Sequence, residues 1–266
     1  MGLLDDILAG KRSEIRALRA APPPARPVCW PVRDAARALG RPVGAPLRLI
    51  AEIKLRSPSA GLLSRALGPS DRAKAYQRAG AAMISVLTDA RWFDGAFDHL
   101  AEARRSVSVP LLAKDFVVDP IQIDRAWSAG ADAVLVIVRC VPAGGGIGEI
   151  VAAARDRGIE PLLEVVDETE LQRALAAGAR LVGVNARDLD TLAIDVARAA
   201  RVLARIPPDV VGVHFSGLHD VAAVATVAAS GADAALIGEA LMRADDPEPL
   251  LRAMVAAAGS EPHGEK

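Results

Sequence analysis

Several things are scarce in this sequence, and each scarcity excludes something. Cysteine occurs twice in 266 residues, as Cys29 and Cys140. Neither sits in a ligand-like spacing, so a disulfide framework or a zinc centre is not expected, and a reducing compartment is. The four histidines, His99, His214, His219 and His263, show no ligand spacing either and read as surface or helix residues. Charge of one sign is also lacking: 32 basic residues face 33 acidic ones. That balance excludes the unopposed basic stripe of a nucleic-acid surface. No apolar run approaches the roughly 18–20 residues that span a bilayer. The opening "MGLLDDILAGKRSEIRALR" mixes charge with apolar residues, unlike a signal peptide. A soluble, cytoplasmic chain is the expectation, and nothing in the sequence sets an oligomeric state. Aromatic residues are only 3% of a chain that is 52% hydrophobic, so its core is built from small aliphatic side chains.

Lysine is scarce too. Five of the 32 basic residues are lysines, and two of them close short apolar runs: Lys54 ends 47–54 and Lys114 ends 109–114. Arginine serves elsewhere as the ordinary surface cation. A lysine kept at the end of a buried strand points to a compact ammonium whose proton can be moved.

What is present is a repeat. Ala79-Gly80-Ala81, Ala129-Gly130-Ala131, Ala177-Gly178-Ala179 and Ser230-Gly231-Ala232 follow one another with glycines 50, 48 and 53 residues apart. Each follows an amphipathic stretch and precedes an apolar run. Glycine suits the left-handed residue that ends a helix before the chain enters a buried strand. A weaker copy is Arg157-Gly158-Ile159. Eight apolar runs result: 47–54, 82–87, 109–114, 133–138, 161–166, 181–185, 210–215 and 234–238. Helical patterns separate them, as at Pro69–Ala79, Pro120–Ala129, Asp167–Ala177 and Leu218–Ala229. This alternation predicts an α/β fold, a closed (β/α)8 TIM barrel over 47–258, ahead of an open doubly wound sheet, which usually has fewer strands. Residues 1–46 read as a helical extension. Leu4, Ile7, Leu8, Ile15 and Leu18 keep helical spacing within 3–20, so that helix is expected to pack on the barrel. Residues 259–266 form a polar tail expected to fray.

In such a barrel the strand ends share one rim. Glu52, Lys54, Lys114, Glu164, Asn185 and Arg187 all fall there, and Glu52 and Lys54, two apart, share one face of an extended strand. Charges gathered in one mouth shift one another's proton affinity. Ser216-Gly217 and Gly238-Glu239 follow the last two strands, where barrels often hold a phosphate on backbone N–H groups. Phe93 and Phe116, just past strand ends, could wall a pocket for a flat ring.

On these residues the chain resembles indole-3-glycerol phosphate synthase. The resemblance rests on "LIAEIKLRSPSAGLL", "ISVLTDARWFDGAFDHL", "PLLAKDFVVDPIQIDRAWSAGADAVLVIV", "LLEVVDETELQRALAAGARLVGVNARDLDTLAID" and "ALIGEALMR", and runs from the N-terminal helix to about Pro249. It implies a cofactor-free carboxy-lyase of tryptophan biosynthesis. Such an enzyme closes the indole ring of an anthranilate-bearing ribulose 5-phosphate, with loss of carbon dioxide and water. It further implies Lys114 as general acid at the sugar carbonyl and Glu164 as acid/base of the dehydration. Lys54 and Arg187 would balance the carboxylate and phosphate, with Glu52 and Asn185 orienting the substrate. Ser216, Gly217, Gly238 and Glu239 would hold the phosphate. Cations beside a catalytic lysine are expected to depress its pKa. Two positions depart. Ala186 replaces a second asparagine and should face outward. Phe215 stands where a glutamate is expected, and a ring cannot accept that acid's hydrogen bonds. Adjacent His214 should point to the opposite face of the strand. A paralogue acting on a modified, less polar substrate, and a non-catalytic phosphate-binding barrel, are the alternatives.

Overall fold

The eight apolar runs become eight parallel strands in a computed structural model that describes residues 2–22, 24–142, 144–188 and 191–259. They are β1 Arg48–Ile53, β2 Met83–Leu87, β3 Leu111–Lys114, β4 Ala133–Ile137, β5 Glu160–Val165, β6 Leu181–Asn185, β7 Val211–Phe215 and β8 Ala234–Ile237. β1 pairs with both β2 and β8, which closes the barrel. Every strand begins and ends within two residues of the run that foretold it. Legibility was high because strands buried on both faces read as unbroken apolar runs.

Alternation along each strand builds two cores. Ile50, Met83, Leu112, Leu135, Leu162, Val213 and Leu236 fill the barrel. Leu49, Ala51, Ile84, Val86, Val134 and Val184 face outward against helix residues such as Ala73, Tyr76, Leu100 and Ile123. Ala186 lies in this outer layer, as expected, and is fully buried. The repeat glycines are left-handed, with φ of +98° at Gly80, +100° at Gly130, +80° at Gly178 and +81° at Gly231. A side chain at any of them would strain the turn from helix to strand.

The chain before β1 wraps both ends of the barrel. Helix Leu3–Ala20, with the predicted bounds, crosses the mouth formed by the C-terminal strand ends. Residues 26–46 run beneath the opposite end, where three arginines bind the turns that enter strands. Arg26 donates to the carbonyls of Trp127 and Ala131, Arg33 to those of Val107 and Val109, and Arg41 to those of Ala228 and Ala232. A helix not foreseen in the sequence, Ala35–Leu39, joins the inner core there and buries Leu39 completely. Asp132, also fully buried, accepts from the Arg104 guanidinium and from the backbone N–H groups of Arg33 and Leu111. Cys29 is exposed and Cys140 is buried. Residues 260–266 of the expected tail lie outside the described residues. Among the described residues, no helix is long and apolar enough to cross a membrane.

Candidate active site

Right-handed crossovers bring every strand's C-terminal end to one rim, and the inward residue nearest that rim carries the chemistry. On β1 this is Glu52, on β3 Lys114, on β5 Glu164 and on β6 Asn185.

Glu52 is almost wholly buried and ion-paired at both oxygens. Its Oε1 lies 2.8 Å from Lys54 Nζ and its Oε2 2.7 Å from Lys114 Nζ. The Tyr76 hydroxyl donates to the Glu52 backbone carbonyl at 3.1 Å. Room for this carboxylate comes from Gly238, where a Cβ would meet Glu52 Oε1 at 2.5 Å. Burial pushes the Glu52 carboxyl up, but the ammonium groups of Lys114 and Lys54 outweigh it and hold the pKa at about 2.

Glu164 is the second buried carboxyl. Asn185 Nδ2 donates to its Oε1 at 2.8 Å, while Asn185 Oδ1 accepts from Ser216 Oγ at 2.7 Å and from the Arg187 N–H at 3.0 Å. Burial raises the Glu164 pKa above the ordinary carboxylate value, and the pull of Lys114 and Asn185 only partly reverses it. For Lys114, burial pushes down, but Glu52 and Glu164 prevail and its pKa rises. The expectation of a depressed lysine is thus overturned: the charges that govern Lys114 are carboxylates. The mouth holds a firmly protonated ammonium beside a carboxyl that retains its proton unusually well. Of the two buried carboxyls, Glu52 is held down and Glu164 is pushed up, and two carboxyls pushed apart in this manner can divide acid and base work.

These groups face a cavity of about 150 Å³. Of the residues singled out in the sequence, Lys54, Lys114, Glu164, Asn185, Arg187, Ser216, Phe93 and Phe116 line it. The Phe93 and Phe116 rings lie 6.1 Å apart, tilted by 33°. Glu52 and Gly238 sit beneath the lining, as a support for the two lysines rather than an open surface. Gly217 and Glu239 lie outside the lining, and the Glu239 carboxylate turns to Arg243. Phe215 points inward but under the floor. It is 2% exposed, its ring lies 5.7 Å from Lys114 Nζ, and it presses on Gly183, where a Cβ would meet the ring at 2.7 Å.

Sequence reading missed several contributors. Leu3, Leu4 and Ile7 roof the cavity, and Ser57, Pro58 and Ser59 form one side. Lys11 is buried against Asp89 and Asp115 at 2.8 and 2.6 Å. A signal existed for it, since Lys11 sits four residues from both Ile7 and Ile15, on the apolar stripe. His214 is neither a surface nor a helix residue: it lies on β7, 3% exposed, with Nε2 3.0 Å from the Ser216 carbonyl oxygen. Among the described residues, no three His, Cys, Asp or Glu side chains gather as a metal site.

Known proteins resemble both the fold and the whole chain. In the solved structures the fold recurs in a 3-hexulose-6-phosphate synthase at TM-score 0.64 and 20% identity, covering 79% of this chain and 99% of that one. The 3-hexulose-6-phosphate synthase of Salmonella typhimurium gives a TM-score of 0.63 at 15% identity, covering 80% and 98%. At such identities the likeness concerns the fold alone. Curated relatives are far more similar. The indole-3-glycerol phosphate synthase of Rhodopirellula baltica is 40% identical over 97% of this chain and 100% of its own length. That of Micrococcus luteus is 41% identical, covering 97% and 98%. The profile of indole-3-glycerol phosphate synthase matches residues 4–254. Matched over almost its whole length by that profile and by such relatives, the chain belongs to the indole-3-glycerol phosphate synthase family.

Proposed function

We propose that this chain closes the indole ring of 1-(2-carboxyphenylamino)-1-deoxyribulose 5-phosphate, releasing carbon dioxide and water, as a cytoplasmic enzyme acting on a small anionic substrate. The observation that carries the reading is the convergence of Lys114 and Glu164 on one buried cavity, with Lys114 held by Glu52 at 2.7 Å.

Ring closure requires a proton on the sugar carbonyl as the aromatic carbon bonds to it. Lys114 gives that proton, since Glu52 and Glu164 keep it charged until the oxygen gains electron density. Loss of carbon dioxide then restores the aromatic ring, and the new hydroxyl must leave as water. Glu164, whose burial favours the protonated carboxyl, supplies and recovers protons in that dehydration. Lys54 balances the substrate carboxylate and Arg187 the phosphate. The Phe93 and Phe116 rings flank the anthranilate ring. Ser216, with the N–H groups of Gly217, Gly238 and Glu239, receives the phosphate.

Phe215 bears on the alternative of a less polar substrate. Its ring lies below the floor and takes no part in the cavity lining, so it adds neither bulk nor an apolar wall to the cavity. This favours the family reaction. The test is indole fluorescence on incubation with the ribulose phosphate substrate, for wild type and Phe215→Glu side by side. Product formation by wild type is the expected result. Its absence at high enzyme concentration, with product from Phe215→Glu alone, would overturn the reading.

A further inference from the structure

We infer that His214 is a positioning residue for the anion corner of the site, acting through the Ser216 carbonyl. The inference rests on the proposed phosphate role of the Ser216-Gly217 turn.

The turn is not one that Ser216 adopts freely. Ser216 has φ of +69° and Gly217 +83°, both in the left-handed region, which a residue with a Cβ seldom occupies without support. His214 Nε2 lies 3.0 Å from the Ser216 oxygen. A carbonyl oxygen only accepts, so Nε2 must carry the hydrogen and donate it. Burial keeps the imidazole neutral by lowering its pKa, leaving one proton, and the contact assigns that proton to Nε2.

Packing alone does not call for a histidine here. The outward layer of strand residues is otherwise aliphatic, and the positions paired with His214 are Val184 and Ala235. An aliphatic side chain would fill the same space, so the feature that distinguishes His214 is its donor.

What the held turn controls is a hydrogen-bond chain with a fixed direction. Asn185 Oδ1 only accepts, so Ser216 Oγ donates to it across 2.7 Å. That orientation turns Asn185 Nδ2 toward Glu164 Oε1 at 2.8 Å. Glu164 Oε1 is therefore held as an acceptor, which fixes the plane of this carboxyl. His214 thus serves the site twice, by shaping the turn that meets the anion and by keeping Ser216 in place to orient Asn185.

The experiment compares wild type, His214→Leu and His214→Gln. Gln sets its amide nitrogen as many bonds from Cα as histidine's Nε2 and restores the donor. The readouts are kcat and KM for the ribulose phosphate, the inhibition constant of inorganic phosphate, and the ¹⁵N ring signals of wild type. With one hydrogen bond lost, His214→Leu should raise KM and the phosphate inhibition constant about tenfold, with kcat falling less. His214→Gln should return both near wild type, and the ring spectrum should show the proton on Nε2. Wild-type kinetics in His214→Leu, or a proton on Nδ1, would overturn the inference while leaving the function standing. A wild type that neither turns over the substrate nor responds to phosphate would overturn both.

Discussion

Lys11 Nζ lies 2.6 Å from Asp115 Oδ1, joining the N-terminal helix to the residue that directly follows Lys114. Asp89, after β2, takes the same ammonium at 2.8 Å, and all three side chains are buried. Asp115 is held further by Thr88 Oγ1 at 2.8 Å. Burying such a cluster gains little net stability, because desolvation offsets the attraction. Its consequence is positional: the helix carrying Leu3, Leu4 and Ile7 is fixed over the cavity, and the chain beyond Lys114 is fixed beneath it.

Lys11→Met should therefore reach both fold and site. Two buried carboxylates lose their cation, at a cost of about 3–5 kcal/mol in denaturant unfolding. Because the roof is no longer anchored, KM should rise in protein that remains folded. Lys11→Arg keeps the charge and should recover most of the stability. Unchanged unfolding midpoint and unchanged KM in Lys11→Met would contradict this account.

Lys114→Arg separates charge from proton transfer. A guanidinium can still pair with Glu52, yet it does not release a proton at any workable pH. The protein should fold, while kcat falls about 10²–10⁴-fold, the usual worth of a general acid. Single-turnover fluorescence at saturating substrate measures the step directly. Retention of more than a tenth of the wild-type rate would exclude Lys114 as the acid.

Glu164→Gln should trade activity for stability, with a sign set by linkage. The folded-state pKa of Glu164 lies above its ordinary value. As pH rises from the ordinary value toward the folded one, the native state keeps a proton that the unfolded chain has released, so stability falls. Above the folded pKa the penalty is complete. Gln removes it and can still accept from Asn185 Nδ2. Tm should be higher than wild type at pH 8 and equal to it at pH 4, with turnover lost at both. A variant less stable than wild type at pH 8 would refute the assigned shift.

These residues also mark where sequence reading succeeded and where it could not. Lys114 and Glu164 were legible because each ends an apolar run, and barrel topology then brings such ends together. For Lys11 only its place on the apolar stripe was legible; its partners come from two loops far along the chain, and only the assembled rim reveals them. Gly238 read as part of an anion cradle. Its missing Cβ also makes room for Glu52, which follows from β8 closing against β1, a neighbour relation that no local pattern records. His214 was passed over because spacing tests for ligands are blind to a histidine that bonds a backbone carbonyl two residues on.

Phe215 and Gly183 form the last testable pair. Both face inward on neighbouring strands, and a Cβ at position 183 would lie 2.7 Å from the Phe215 ring. Gly183→Ala must therefore displace a ring that has Lys114 above it and the inner core around it. Overpacking of this kind costs about 1–3 kcal/mol. Phe215→Leu leaves a smaller group and frees the space, so the double variant should recover much of what Gly183→Ala loses. A double-mutant cycle in urea measures this coupling as the departure from additivity. Coupling near zero would mean that the ring does not occupy the space above Gly183. The Phe215 side chain would then have to lie elsewhere, with the cavity itself the nearest open volume.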